Sequence, residues 1–219
     1  MPVVSIALVL ANVVVYVVAI VHGGSFVSGP SRTVAIDYGA EPAKLDWGAA
    51  FSSIFIAGSL LQLLANTIAL ALFGLNVEDA LGRLRFLAFY LLGALVSLGL
   101  SVLLAPNSRV PVLGASGAIA AVLGAYLSLY PRARVIGVAL IPFLATIVEV
   151  PAALLIAVWL LVQLWVGLAG LAGPIDGAWG VAYAAQLAVL LLGASVVRPL
   201  ADPERRAAKR RPPPPQPVY

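Results

Sequence analysis

The sequence predicts an all-α, polytopic membrane protein of six transmembrane helices, and three observations lead there. Hydrophobic residues make up 62% of the 219 residues and charged residues only 10%. Mean hydropathy is +1.06, and a soluble domain of this length needs far more charged surface to stay dissolved. The apolar residues also fall in blocks near the ~20 residues that a bilayer crossing needs, rather than in amphipathic stripes.

The first block covers residues 3–21. No basic segment precedes it, and it runs into His22-Gly23-Gly24-Ser25, a poor match to a cleavage site, so it reads as a retained span. A loop over residues 23–47 follows, holding Pro30, Asp37, Glu41, Pro42, Lys44 and Asp46. The remaining spans are expected at residues 50–75, 86–105, 112–130, 151–171 and 178–197. Between them lie a short charged turn (78–85), a loop (106–111), the break Pro131-Arg132-Ala133-Arg134, and a Gly/Pro turn (173–177). Residues 135–148 are apolar but short: 14 residues of helix would cover about 21 Å of a hydrocarbon layer roughly 30 Å thick. An interfacial or re-entrant piece ending at Glu149-Val150-Pro151 is expected there.

Charge sets the orientation. With six spans, one side collects Arg83, Arg85, Arg132, Arg134 and the six basic residues from Arg198 to Arg211. The other side receives only Arg32, Lys44 and Arg109. Positive residues gather on the cytoplasmic side, so both termini are expected there, in the cell membrane if the source is prokaryotic. A seventh span would weaken this bias. The net charge of +4 is thus a membrane flank and implies no nucleic-acid partner. Residues 1–200 read as one membrane domain. Residues 201–219 read as a basic, Pro-rich, disordered tail that touches lipid headgroups. There is no cysteine, which excludes disulfides, a thiolate nucleophile and zinc–thiolate sites. No His/Asp/Glu cluster has ligand spacing, so no metal or cofactor is implied. Glu149, beside Pro151, is expected to snorkel to the interface.

Polar side chains at membrane depth are the clues to function. Gln62 and Asn66 lie four apart on the second span and share a helix face. Ser116 sits in Gly114-Ala115-Ser116-Gly117, and Gln186 lies in the last span. Each also has a structural reading: carboxamides bond helices together, and a serine at a helix start is a good N-cap.

Their order along the chain resembles the rhomboid family of intramembrane serine proteases, from about Trp47 to Gly193. Phe55, Gly58, Asn66, Phe73-Gly74, Asn76-Val77-Glu78-Asp79 and Gly82 are similar to the family's second helix. Gly114-Ala115-Ser116-Gly117-Ala118 resembles its nucleophile motif, followed by Gly124-Ala125-Tyr126 and Tyr130-Pro131-Arg132-Ala133-Arg134. Gly180-Val181-Ala182-Tyr183 resembles the approach to its last catalytic helix. The resemblance implies a rhomboid-like six-helix bundle, with Ser116 at the nucleophile position and Asn66 at an oxyanion position. Gln62 stands where the family has an oxyanion histidine, Gln186 where it has the general-base histidine, and Ala57 where another histidine is common. Val189 and Gly193 occupy two positions where the family has glycines, so half of that close-packing pair is missing.

The two glutamines are unequal replacements. At 62 an amide still offers N–H donors, which an oxyanion site requires. At 186 the role is to take a proton from a serine hydroxyl, and a carboxamide lacks the basicity. His22 and Lys44 are the remaining candidate bases, and nothing in the sequence places either against Ser116. The expectation is therefore a catalytically impaired or inactive rhomboid that binds transmembrane segments of other proteins. The alternative is an intramembrane serine endopeptidase using Ser116 with a non-standard base. A solute channel lined by Gln62, Asn66 and Gln186 is a third reading, without the inverted repeats or buried charges of a transporter.

Overall fold

The computed structural model describes residues 2–141, 144–169 and 178–202. Its first helix, α1 (Val3–Val21), is 19 residues of almost unbroken apolar sequence, about 28 Å of rise. Pro2, its N-cap, supplies no side-chain acceptor. Glu78 replaces one, accepting from Val4 N–H at 2.9 Å and Ser5 N–H at 2.7 Å.

A chain of short elements follows. Strands β1 (Gly24–Ser25) and β2 (Gly29–Pro30) pair antiparallel. Helix α2 (Arg32–Tyr38) is capped by Ser31, and α3 (Trp47–Ser52) by Asp46. The span expected at 50–75 starts later than its hydropathy suggests. Gly58-Ser59 breaks the apolar run, Ser59 caps the new helix, and the crossing runs Leu60–Leu81. It comprises α4 (Leu60–Ala69), a π-turn (Leu70–Gly74) and α5 (Leu75–Leu81).

The turn expected at 78–85 shrinks to one residue. Helix α5 continues to Leu81, Gly82 reverses the chain at φ +82°, and α6 (Arg83–Leu104) begins at once. Glu78 is consequently no loop residue: it lies within the helix, 1% exposed, spent on the start of α1.

Helix α7 (Ser116–Leu129) is the middle of the molecule, with 12 of its 14 residues buried. It is shorter than the expected 112–130. Val112 instead bridges Ala40, and Gly114 at φ +105° turns the chain into the helix only at Ser116. At about 21 Å it spans some two thirds of a hydrocarbon layer.

The segment at 134–151 corrects the all-α expectation. Strands β3 (Arg134–Ile141) and β4 (Leu144–Pro151) form an antiparallel hairpin in which Arg134 faces Pro151 and Ile141 faces Leu144. Its Val, Ile and Thr residues suit a strand, although α1 is as rich in such residues and is helical. Glu149 pairs across the hairpin with Arg134 at 3.4 Å, both side chains exposed, so its partner is a neighbouring strand. Helices α8 (Ala152–Ala169) and α9 (Ala178–Leu200) complete the fold. Among the described residues, four apolar helices are long enough to cross a membrane: Val3–Val21, Leu60–Leu81, Arg83–Leu104 and Gly180–Leu200. Two more, Ser116–Leu129 and Ala152–Trp165, are apolar but shorter.

Small residues let α6 and α9 close on α7. A side chain at Gly93 would meet Ala121, and one at Gly117 would meet Ser97. Gly124 faces the backbone of Leu190, and Gly193 faces the backbone of Ala121. Val189, at the position without a glycine, is 1% exposed. Asp202 N–H bonds Ala80 O at 3.0 Å, and Ala201 is 5% exposed against the core. Described packing against the core thus continues to Asp202. The expected tail from residue 203 onward and the turn at 173–177 lie outside the described residues.

Candidate functional site

The start of α7 is built by the loop before it. Gly114 N–H bonds Ser53 O at 2.8 Å, and the positive φ of Gly114 delivers Ala115 as N-cap. Ser116 is therefore the first helical residue and not the cap, and no side chain caps α7. Free backbone N–H groups and the positive end of the helix dipole stand beside its hydroxyl. Ser116 is 4% exposed.

Gln186 on α9 meets it. Its Nε2 donates to Ser116 Oγ at 2.9 Å, across 70 residues of sequence. Ala185 and Val189, both at most 1% exposed, seat that face of α9 against the core. The direction of this contact matters. A general base would accept the hydroxyl proton and enrich Oγ in electron density. Here the group facing Oγ is a carboxamide N–H, a donor with no capacity to take the hydroxyl proton. In either orientation a carboxamide exchanges hydrogen bonds and takes no proton. Gln186 Oε1 is buried and has no hydrogen-bond partner among the described residues.

Gln62 and Asn66 lie on one face of α4, one turn apart, yet serve different neighbours. Ser59 Oγ accepts from Gln62 N–H at 3.2 Å, while Gln62 Oε1 accepts from Gly58 N–H at 2.7 Å. This reciprocal arrangement is close to a capping box and fixes the start of α4. It also spends the amide oxygen and leaves the NH₂ group toward Gly114, where an added Cβ would lie 2.9 Å from Nε2. Gln62 thus abuts the loop that sets Ser116.

Asn66 is 3% exposed, and its Oδ1 accepts from Gln163 Nε2 on α8 at 3.2 Å. Gln163, 6% exposed, escaped the sequence reading. The criterion that singled out Gln186, a carboxamide in an otherwise apolar span, applies equally to it.

The other candidate bases are remote in character. His22 is exposed at the end of α1, its Nδ1 paired with Val18 O at 2.9 Å. Lys44 is exposed in the turn before α3. Ala57 is 3% exposed and packs with Tyr16 and Leu63, so apolar contact fills that place.

Comparison with known proteins agrees with this architecture. The family model described as the rhomboid domain matches residues 44–202. The chain is 30% identical over 145 residues to the presenilin-associated rhomboid-like protein A, mitochondrial, of Danio rerio, a match covering 62% of this chain and 37% of that protein. The chain thus matches well under half the length of that relative. The matched residues hold Ser116, Gln186, Gln62, Asn66 and Gln163 alike, and the chain is a multi-pass integral membrane protein belonging to the rhomboid family.

Proposed function

We propose that this rhomboid has lost proteolytic turnover and acts by binding transmembrane segments of other membrane proteins. The observation that carries the proposal is the hydrogen bond from Gln186 Nε2 to Ser116 Oγ, a donor where peptide hydrolysis needs a proton acceptor. Removing a member of a serine triad leaves roughly 10³–10⁴-fold catalysis over water, from binding and oxyanion contacts alone. That residue of rate is too small for useful turnover. The buried polar side chains Ser116, Asn66 and Gln163 are kept, and polar groups among transmembrane helices suit partners that lipid cannot satisfy.

In this reading Ser116 holds Gln186 in place, and Gln62 stiffens the loop beneath the serine. Asn66 joins α4 to α8. Both termini lie on the cytoplasmic side, where Arg83, Arg85, Arg132 and Arg134 face the headgroups.

The test is incubation of the purified protein in bilayers with helix-destabilised transmembrane substrates. Complexes without cleavage are expected, and no adduct with a fluorophosphonate probe. Cleavage that Ser116→Ala abolishes would instead establish a serine endopeptidase with a non-standard base.

A further inference from the structure

We infer that the outer edge of β3 pairs with the same edge of a second copy of this chain, joining two hairpins into one sheet across a two-fold axis. Strands β3 and β4 form a sheet of two, so each strand has one edge that the other leaves unpaired. The register tells which backbone groups point there. Ala152 N–H bonds Ala133 O at 3.0 Å, which makes these residues a hydrogen-bonded pair at the base of the ladder. Bonded and non-bonded pairs alternate along an antiparallel ladder, so Val135 with Val150 and Gly137 with Val148 are bonded pairs as well. The residues between them turn their N–H and C=O groups outward. On β3 these are Arg134, Ile136, Val138 and Leu140, and on β4 they include Ile147 and Glu149.

The two edges are unlike. Pro151 stands at an outward position of β4 without an N–H to offer, and the charged Glu149 is the next outward residue. Both features keep a strand edge from pairing. The edge of β3 has neither above its base, since residues 135–141 contain no charge and no proline. Its one charge, on Arg134, is matched within its own hairpin by Glu149 at 3.4 Å, which offsets repulsion between copies. Ile136 on that edge is 70% exposed. An apolar strand with an open edge recruits another strand, and lipid tails offer its backbone no hydrogen bonds. Symmetry fits a second copy to this role. The hairpin joins two successive apolar helices, α7 and α8, so its base lies at the same membrane surface in every copy. Copies inserted in one direction are related by a two-fold along the membrane normal. Antiparallel pairing of β3 with itself also has a two-fold across the strands. The two axes coincide when the hairpin lies along the membrane surface.

The chain has no cysteine, so single cysteines report contacts between copies without background. The experiment uses the full chain in liposomes at a high lipid-to-protein ratio, treated with a short bis-maleimide. Val138→Cys on β3 is expected to give cross-linked dimer, and Ile147→Cys on β4 very little. A proline at an outward position removes an N–H that the hairpin itself does not use. Ile136→Pro is therefore expected to lower the Val138→Cys cross-link at least about tenfold, whereas Ile147→Pro should leave it unchanged. Equal cross-linking at both cysteines, or a dimer that the two prolines affect alike, overturns pairing through β3. Single-molecule subunit counting of wild-type protein, with one dye at its N-terminus, decides the matter even where a variant folds poorly. Two copies per particle are expected. Single copies throughout would overturn the inference and leave the β3 edge to lipid headgroups and water.

Discussion

Asn66 and Gln163, 97 residues apart in sequence, share a 3.2 Å hydrogen bond between α4 and α8. Both side chains are more than nine-tenths buried. In a bilayer such a bond replaces exposure of two amides to lipid, and measured values average near 0.6 kcal/mol, reaching about 1.7. Helix α8 turns Leu154, Val158, Leu161 and Trp165 outward and buries Ala152, Ile156 and Trp159, and this pair is a polar tie from that inner face to α4. Gln163→Leu is expected to destabilise the protein by about 1 kcal/mol in a bicelle unfolding measurement. Asn66→Leu combined with Gln163→Leu should cost less than the sum of the single changes, since neither then strands a partner. Strict additivity would show that the bond carries no coupling.

Restoring a base should restore reactivity. In Gln186→His an imidazole replaces the carboxamide already within hydrogen-bond distance of Ser116. Fluorophosphonate labelling of Gln186→His is expected to rise at least about tenfold over wild type, and Ser116→Ala should remove it. Labelling that stays at the wild-type level would mean that more than the base has been lost from the pocket.

The glycines at the α7–α9 contact leave no room for larger residues. A side chain at Gly124 meets the Leu190 backbone, and one at Gly193 meets that of Ala121. Backbone cannot rotate aside as a side chain can. Gly193→Ala and Gly124→Ala should each destabilise the fold by about 1–3 kcal/mol, whereas Gly99→Ala, with nothing within 4 Å, should be neutral or slightly favourable. Thermal unfolding in detergent or bicelles distinguishes these outcomes.

Glu78 holds the first turn of α1 from a helix 73 residues away in sequence. Replacing it with leucine strands two buried N–H groups, at about 1–3 kcal/mol each. Glu78→Leu should speed amide exchange at Val4 and Ser5 at least tenfold, while Glu78→Gln, which keeps one acceptor, should show a smaller change. Unaltered exchange in Glu78→Leu would show that α1 is held by its apolar face alone.

Much of this architecture was readable from block length and punctuation, because apolar runs of bilayer size have few alternatives. The failures are local and have physical causes. Residues 135–148 are as apolar as a helix, and neither hydropathy nor β-branching, which α1 shares, separates their hairpin from a short helix. Ser116 looked like an N-cap because serine usually is one; the positive φ of Gly114 instead moved the cap to Ala115. Pairing of Ser116 with Gln186 was legible through the ordered motifs, since each lies in a matching stretch. Gln163 was not, because its meaning depends on Asn66 in a distant span, and a lone amide in an apolar run gives no hint of its partner.

The ties among helix ends are divided by kind. Away from Ser116, ionisable groups do the joining: Glu78 to α1, Arg85 to Leu200 O at 3.2 Å, and Arg198 to Ser128 at 3.1 Å. Ser116, Gln186, Gln62, Asn66 and Gln163 carry no formal charge. Dissolved ions screen charges at exposed positions such as Arg198 and reach the buried Glu78 and these neutral dipoles far less. Ionic strength therefore acts at the rim of this molecule and not at its buried joints.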